Sequence, residues 1–223
     1  MLFDMDGLLT DSEPVWFEAE AGVMARLGGD WEPADQRELM GGPLSKTVSS
    51  MLAKAPGEPD VSPDEIGSWL MSDAVAIVKR RGVPMLPGAA ELLAAVDRAG
   101  LPRALVTSSR RDFTAAVLEV TGMEFGVTVC GDDVARGKPA PDPYLRAAEL
   151  LGVDARECVV LEDSANGIRA AEAAGCAVIA VPSMPLDSGA PPGRVIAGSL
   201  AEVDLSLLCA TMEERAPARR RRP

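Results

Sequence analysis

The chain has 223 residues, enough to bury a full core in one large domain or two smaller ones, with an ordinary 47% apolar and 25% charged content. A formal charge of -12 argues against a surface that coats nucleic acid, apart from the arginines at 219–222, which read as part of a disordered basic tail over 216–223. No histidine is present, which excludes Ser-His-Asp and Cys-His catalysis within the chain, and histidine-ligated zinc, and leaves base chemistry to Asp, Glu or Lys.

The four cysteines are far apart and form no C-x-x-C; Cys158 and Cys176 sit in strand-like runs and read as buried thiols. No signal peptide precedes the first motif and no apolar run is long enough to span a membrane, so a reducing cytoplasm is the expected setting.

The chain opens on Met1-Leu-Phe-Asp4-Met-Asp6-Gly7. Side chains alternate along a strand, so Asp4 and Asp6 should leave the strand end on one side, and Gly7 lets the backbone turn sharply beside them. Such a pair can hold a hard cation, or one carboxylate can attack an electrophile while the other handles protons. The same string also fits a strand followed by an acidic turn.

Beyond Ser12 the pattern turns helical, with Pro14 suited to a first turn and Gly28-Gly29 closing the segment. Further helices are expected over 34–40, 44–53 and 63–80, and 54–62 reads as a loop. No strand pattern occurs over 13–81, so this block should be all-helical. After Gly82 helices and strands alternate. Helices are expected over 89–99, 112–121, 143–151, 168–174 and 200–213, and strands over 103–106, 127–130, 158–161 and 177–181, with a loop over 184–193. Alternation of this kind implies a doubly wound parallel α/β sheet, whose ligands sit beyond the carboxyl ends of the strands.

Polar clusters fall at those strand ends: Asp4 and Asp6, then Thr107-Ser108-Ser109, then Glu162-Asp163, with Lys138 in the loop after a fourth strand. Each alone has a plain reading, a helix cap for the hydroxyl and acid runs and a solvated lysine for Lys138. Together they supply a nucleophile, a second carboxylate, hydroxyl donors, an ammonium and further hard oxygen ligands, a set suited to phosphoryl transfer.

These segments resemble the signature motifs of the haloacid dehalogenase superfamily: Phe3-Asp-Met-Asp-Gly7, Leu105-Val-Thr107, Lys138-Pro-Ala-Pro-Asp-Pro143, and Leu161-Glu-Asp-Ser164 with Asn166-Gly167. The resemblance implies a Rossmann-like core from 1–12 and 82–223, with the helical block 13–81 inserted as a small cap, as in the β-phosphoglucomutase-like branch. Asp4 through Trp16 most resembles the hexitol-phosphate and 2-deoxyglucose-6-phosphate phosphatases of that branch. Carried over, Asp4 would be nucleophile and metal ligand, and Asp6 general acid/base and a Mg²⁺ ligand through its carbonyl. Thr107 and Lys138 would hold the phosphoryl oxygens, with Ser108 and Ser109 beside the substrate. Asp163 would bind Mg²⁺, with Glu162 direct or through water. Asp6 favours phosphate chemistry, since the family's dehalogenases lack a second aspartate there.

Two features depart from the pattern. Only three residues precede Asp4, so the first strand is short or the chain starts upstream. Trp16 stands where the mutases carry a cap histidine, and Gly41-Gly42-Pro43-Leu44 lacks their arginine. The implied activity is a Mg²⁺-dependent phosphatase acting on a small phosphomonoester, a sugar or polyol phosphate, through an aspartyl-phosphate. The alternatives are a sugar phosphomutase of the same branch and a non-catalytic binding protein. Trp16, Gly41, Gly42 and Lys46 are the candidate specificity face; Trp16 could equally be core, and Asn166 either contacts substrate or caps a helix. A monomer without nucleic-acid or membrane partners is the default.

Overall fold

The structure, a computed structural model, describes residues 1–39, 42–57, 59–182 and 194–215. Met40 at the end of the expected 34–40 helix, Gly41, the whole 184–193 loop and the 216–223 tail therefore lie outside the described residues. Strand β1 (Leu2–Phe3) is followed by four helices, α1 (Glu13–Arg26), α2 (Pro33–Arg37), α3 (Leu44–Lys54) and α4 (Pro63–Arg81). Then come α5 (Ala89–Arg98), β2 (Ala104–Val106), α6 (Arg111–Thr121), β3 (Val127–Val129), α7 (Asp142–Leu151), β4 (Val159–Glu162), α8 (Ala165–Ala174), β5 (Ala177–Ala180), β6 (Arg194–Ile196) and α9 (Leu205–Arg215).

The sheet is parallel in the order β3-β2-β1-β4-β5-β6. The chain winds outward from β1 on both sides, so β1 lies at the point where strand order reverses, where open α/β sheets bind ligands. Alternation along the strands sorts the core. Phe3, Leu105, Leu161 and Ile179 fall in one buried cluster; Leu2, Ala104, Val106, Val160 and Val178 fall in another.

The helical block has its own cluster, including Val23, Met24, Trp31, Val48, Met51, Ile66 and Leu70. Its base does not: Val15 and Ala19 of α1 and Met71, Ala74, Ile77 and Val78 of α4 pack in the same cluster as Phe3, Leu105 and Phe113. Helix α4 starts on a capping box between Ser62 and Glu65, and carries Lys79, Arg80 and Arg81 in its last turn, as the helix dipole favours.

Several expectations need correction. Helix α2 spans five residues, not 34–40. The expected 200–213 helix is a 3₁₀ turn, Leu200–Glu202, then α9, because Asp204 caps a fresh helix by accepting from the Leu207 amide at 2.8 Å. Strand β6 was not expected: three half-exposed edge residues show no apolar alternation. Cys158 and Cys176 are buried and form no disulfide, as expected.

Candidate active site

The first strand ends at Phe3, before either aspartate, so a turn brings Asp4 and Asp6 together where strand alternation was expected to do so. Asp4 continues the sheet by one bond, its amide donating to the Leu161 carbonyl at 3.1 Å. The chain then folds back, with the Gly7 amide on Thr10 O at 2.9 Å and the Leu9 and Thr10 amides on Met5 O. Gly7 has φ +79°, and a Cβ there would lie 2.3 Å from Asp163 Oδ2. Only glycine lets this turn approach the β4 end so closely.

Lys138 reaches into the same place from the loop after β3. Its buried ammonium donates to Asp4 Oδ1 at 2.5 Å, Glu162 Oε1 at 2.6 Å and Val106 O at 2.8 Å, which uses all three protons. Burial works to lower the Lys138 pKa, but the Asp4 and Glu162 charges and hydrogen bonds outweigh it and hold the ammonium charged. Glu162 Oε1 also accepts from Tyr144 Oη at 2.7 Å, and Oε2 accepts from the Ser164 amide and Oγ at 3.1 Å each. All four lone-pair directions of Glu162 are thereby taken, so its geometry is that of a support for Lys138. A Cβ on Gly167 would lie 1.6 Å from Glu162 Oε1, so that glycine makes room for the carboxylate.

Asp4, Glu162 and Asp163 each offer an oxygen within 4.8 Å of the others'. Burial raises the Asp4 pKa well above the usual carboxylate range; Lys138 opposes this, and Glu162, Asp163 and Asp6 add to it. Four carboxylates thus face one ammonium, a donor set of hard oxygens with negative charge in excess.

Asp6 is held by hydroxyls. Ser12 Oγ donates to Oδ1 at 2.6 Å, and Thr107 Oγ1 and Ser109 Oγ donate to Oδ2 at 3.0 and 2.8 Å. The helix-cap alternative for Thr107-Ser108-Ser109 fails, because α6 starts at Arg111 with Arg110 as its N-cap residue and no side-chain cap. Ser164 does cap α8, accepting from the Gly167 amide at 3.0 Å; Asn166 does not, and takes a bond from Arg169 at 2.5 Å.

Two cavities open here. A cleft of about 1000 Å³ between α3, α4 and the sheet edge is lined by Thr107, Ser108, Gly42 and Lys138, among others. A smaller one of about 150 Å³ lies behind Asp6, lined by Glu13, Trp16, Glu20, Gln36, Thr47, Ser109 and Arg110, among others. Trp16 serves both expectations: it lines the small cavity and packs on Phe113 with ring centroids 4.6 Å apart. Lys46 is exposed, donates to Glu38 O at 3.4 Å and lines neither cavity. Neither cavity includes Asn166.

Ser12, Glu13, Glu20, Arg110 and Tyr144 were missed in the sequence. Glu20 left a signal, an acid between Ala19 and Val23 on the buried stripe of α1. Tyr144 left none, since a tyrosine in an amphipathic helix reads as core.

Residues 1–175 match the family model of the haloacid dehalogenase-like hydrolases. The chain belongs to that family. Among the relatives of this hydrolase, hexitol phosphatase A of Escherichia coli K12 is 35% identical over 81% of each chain. The phosphoglycolate phosphatase of Shigella boydii is 32% identical over 87% of this chain and 83% of its own. The crystal structure of CbbY from Rhodobacter sphaeroides, in complex with phosphate, superposes with a TM-score of 0.81 at 31% identity, covering 90% of this chain and 94% of that one. The hydrolase is an enzyme, a phosphatase of its family.

Proposed function

We propose that the enzyme hydrolyses a small sugar or polyol phosphate with Mg²⁺, through an aspartyl-phosphate on Asp4. One observation carries the reading: beyond the end of β1, Lys138 binds Asp4 and Glu162, while three hydroxyls hold Asp6. Two carboxylates two residues apart are thus given different surroundings, as nucleophile and acid/base require.

The residues fit a divalent cation. Asp4 and Asp163 are buried hard ligands beside a turn too close for any Cβ, and their excess negative charge would repel a phosphate dianion unless offset. Asp4, Asp163 and the Asp6 carbonyl would hold the ion, and Glu162, with its lone pairs engaged, would support Lys138. When bound, Mg²⁺ supplies charge neutralisation on the phosphoryl oxygens.

Asp4 attacks phosphorus and forms the acyl phosphate as the ester oxygen leaves. Protonated Asp6 gives its proton to that oxygen, then takes one from the water that attacks phosphorus, which releases phosphate and restores Asp4. The Thr107 hydroxyl donates a hydrogen bond to Asp6 in this structure, and would turn it to a phosphoryl oxygen once Asp6 engages the substrate. Lys138 offsets charge throughout.

The names of the relatives support a small phosphorylated substrate, and the hexitol phosphatase favours a polyol or sugar ester. The test is phosphate release from phosphorylated sugars, polyols, glycolate and nucleotides, with Mg²⁺ and with chelator. Metal-dependent release from hexose or polyol phosphates is expected; release from none of them by folded protein removes the reading.

A further inference from the structure

We propose that the small cavity behind Asp6 is a leaving-group subsite for a neutral, polyhydroxylated carbon chain, and that Glu20, Thr47, Glu13 and Gln36 select it against esters bearing a carboxylate or a second phosphate. The inference rests on the phosphatase reading, and names the substrate class of that site.

The cavity touches Asp6, the group that must protonate the leaving oxygen, so whatever leaves lies against this wall. At about 150 Å³ it is smaller than the ~300–1,000 Å³ typical of drug-sized ligands, which suits a short chain. Two of its polar groups are more than nine-tenths buried: Glu20 is 6% exposed and Thr47 is 7% exposed. Glu20 Oε2 accepts from Trp31 Nε1 at 2.9 Å, which holds the carboxylate in place. Among the described residues no hydrogen bond reaches Glu20 Oε1 or the Thr47 hydroxyl. Neither atom is sealed from solvent, so both open onto the cavity with capacity for what enters it.

The chemistry of that capacity is selective. Glu20 and Glu13 accept, Thr47 donates and accepts, and the Gln36 amide, which donates to the Glu13 carbonyl at 2.9 Å, keeps an acceptor oxygen. Substrate hydroxyls, each both donor and acceptor, match such a wall. A carboxylate or phosphate offers acceptors only, against two acids. Trp16, Leu39, Leu44 and Met71 provide apolar surface for the C–H faces of the chain. Arg110 is the one cation on the lining among the described residues; it also lines the large cleft, so it stands at the junction of the two cavities.

The experiment measures kcat/KM, with Mg²⁺, for a hexitol phosphate, glycerol phosphate, phosphoglycolate, a hexose bisphosphate and p-nitrophenyl phosphate, in the wild type, Glu20→Gln and Thr47→Val. The expected result is a wild-type preference for the neutral polyol esters over phosphoglycolate and the bisphosphate of about a hundredfold or more. The ratio of polyol ester to p-nitrophenyl phosphate should fall about tenfold or more in the variants, as at sites that lose a partner for a substrate hydroxyl. Wild-type preference for phosphoglycolate or the bisphosphate overturns the inference and leaves the phosphatase reading standing. So does an unchanged ratio in both variants. Release from no ester overturns both. Should either variant fail to fold, the wild-type preference decides.

Discussion

At the residue scale, Asp4 and Asp6 differ through their neighbours. Asp4 faces an ammonium and Asp6 faces three hydroxyls. Asp4→Asn keeps the volume and removes the nucleophile; turnover should fall by several orders of magnitude with an unchanged circular dichroism spectrum, and substantial residual turnover would remove Asp4 from the role. Glu20 is legible in thermodynamics as well. Burial first, eased by the Trp31 bond, raises its pKa from 4.5 to about 7, so the folded state binds the proton more tightly than the unfolded one. Stability is therefore lost as pH rises from about 4.5 to about 7, by roughly 3 kcal/mol at 1.36 kcal/mol per unit. Glu20→Gln should raise Tm by several degrees at pH 8 and by much less at pH 5; an equal effect at both values would remove the buried charge as the cause.

At the element scale, the ends of the elements carry the site. Ser12 precedes α1 and spends its hydroxyl on Asp6, not on capping, which ties the start of α1 to Asp6. Loop contacts are equally exacting where α5 begins. Gly88 has φ +86°, and a Cβ there would lie 2.2 Å from the Ala201 amide nitrogen. Gly88→Ala should destabilise by about 2 kcal/mol or more, through strain and the forced shift of the Leu200–Glu202 turn. Denaturant unfolding tests this, and a midpoint matching the wild type would show that the turn yields freely. Helices with strong periodicity, such as α4 and α6, were legible in the sequence to within a residue. Strand β6 and the break before α9 were not, because edge pairing to β5 and a local Asp204 cap decide them.

At the scale of the whole molecule, the block 13–81, which we propose is a cap, packs its outer half on itself and shares the main core at its base. With carboxylates in excess at the end of β1, the proposed metal should affect stability as well as rate. Chelator should abolish phosphate release, and added Mg²⁺ should restore it and raise Tm in proportion to the logarithm of its concentration above the dissociation constant. A Tm indifferent to Mg²⁺ would take the ion away from Asp4 and Asp163.

The order of strands and helices, the all-helical block and the acids, hydroxyls and lysine at successive strand ends are local properties of the chain, and its sequence alone determined them. Periodicity and strand ends are written within a dozen residues of one another. Only the tertiary structure decided which of these groups meet. Glu162 is occupied by Lys138, Tyr144 and Ser164, and Thr107 is turned towards Asp6. Glu13 and Glu20 face a cavity where a helix surface would ordinarily give them to water. Apart from the Ser164 bonds, these contacts join residues 18 to 103 apart in the chain, and no local pattern records them.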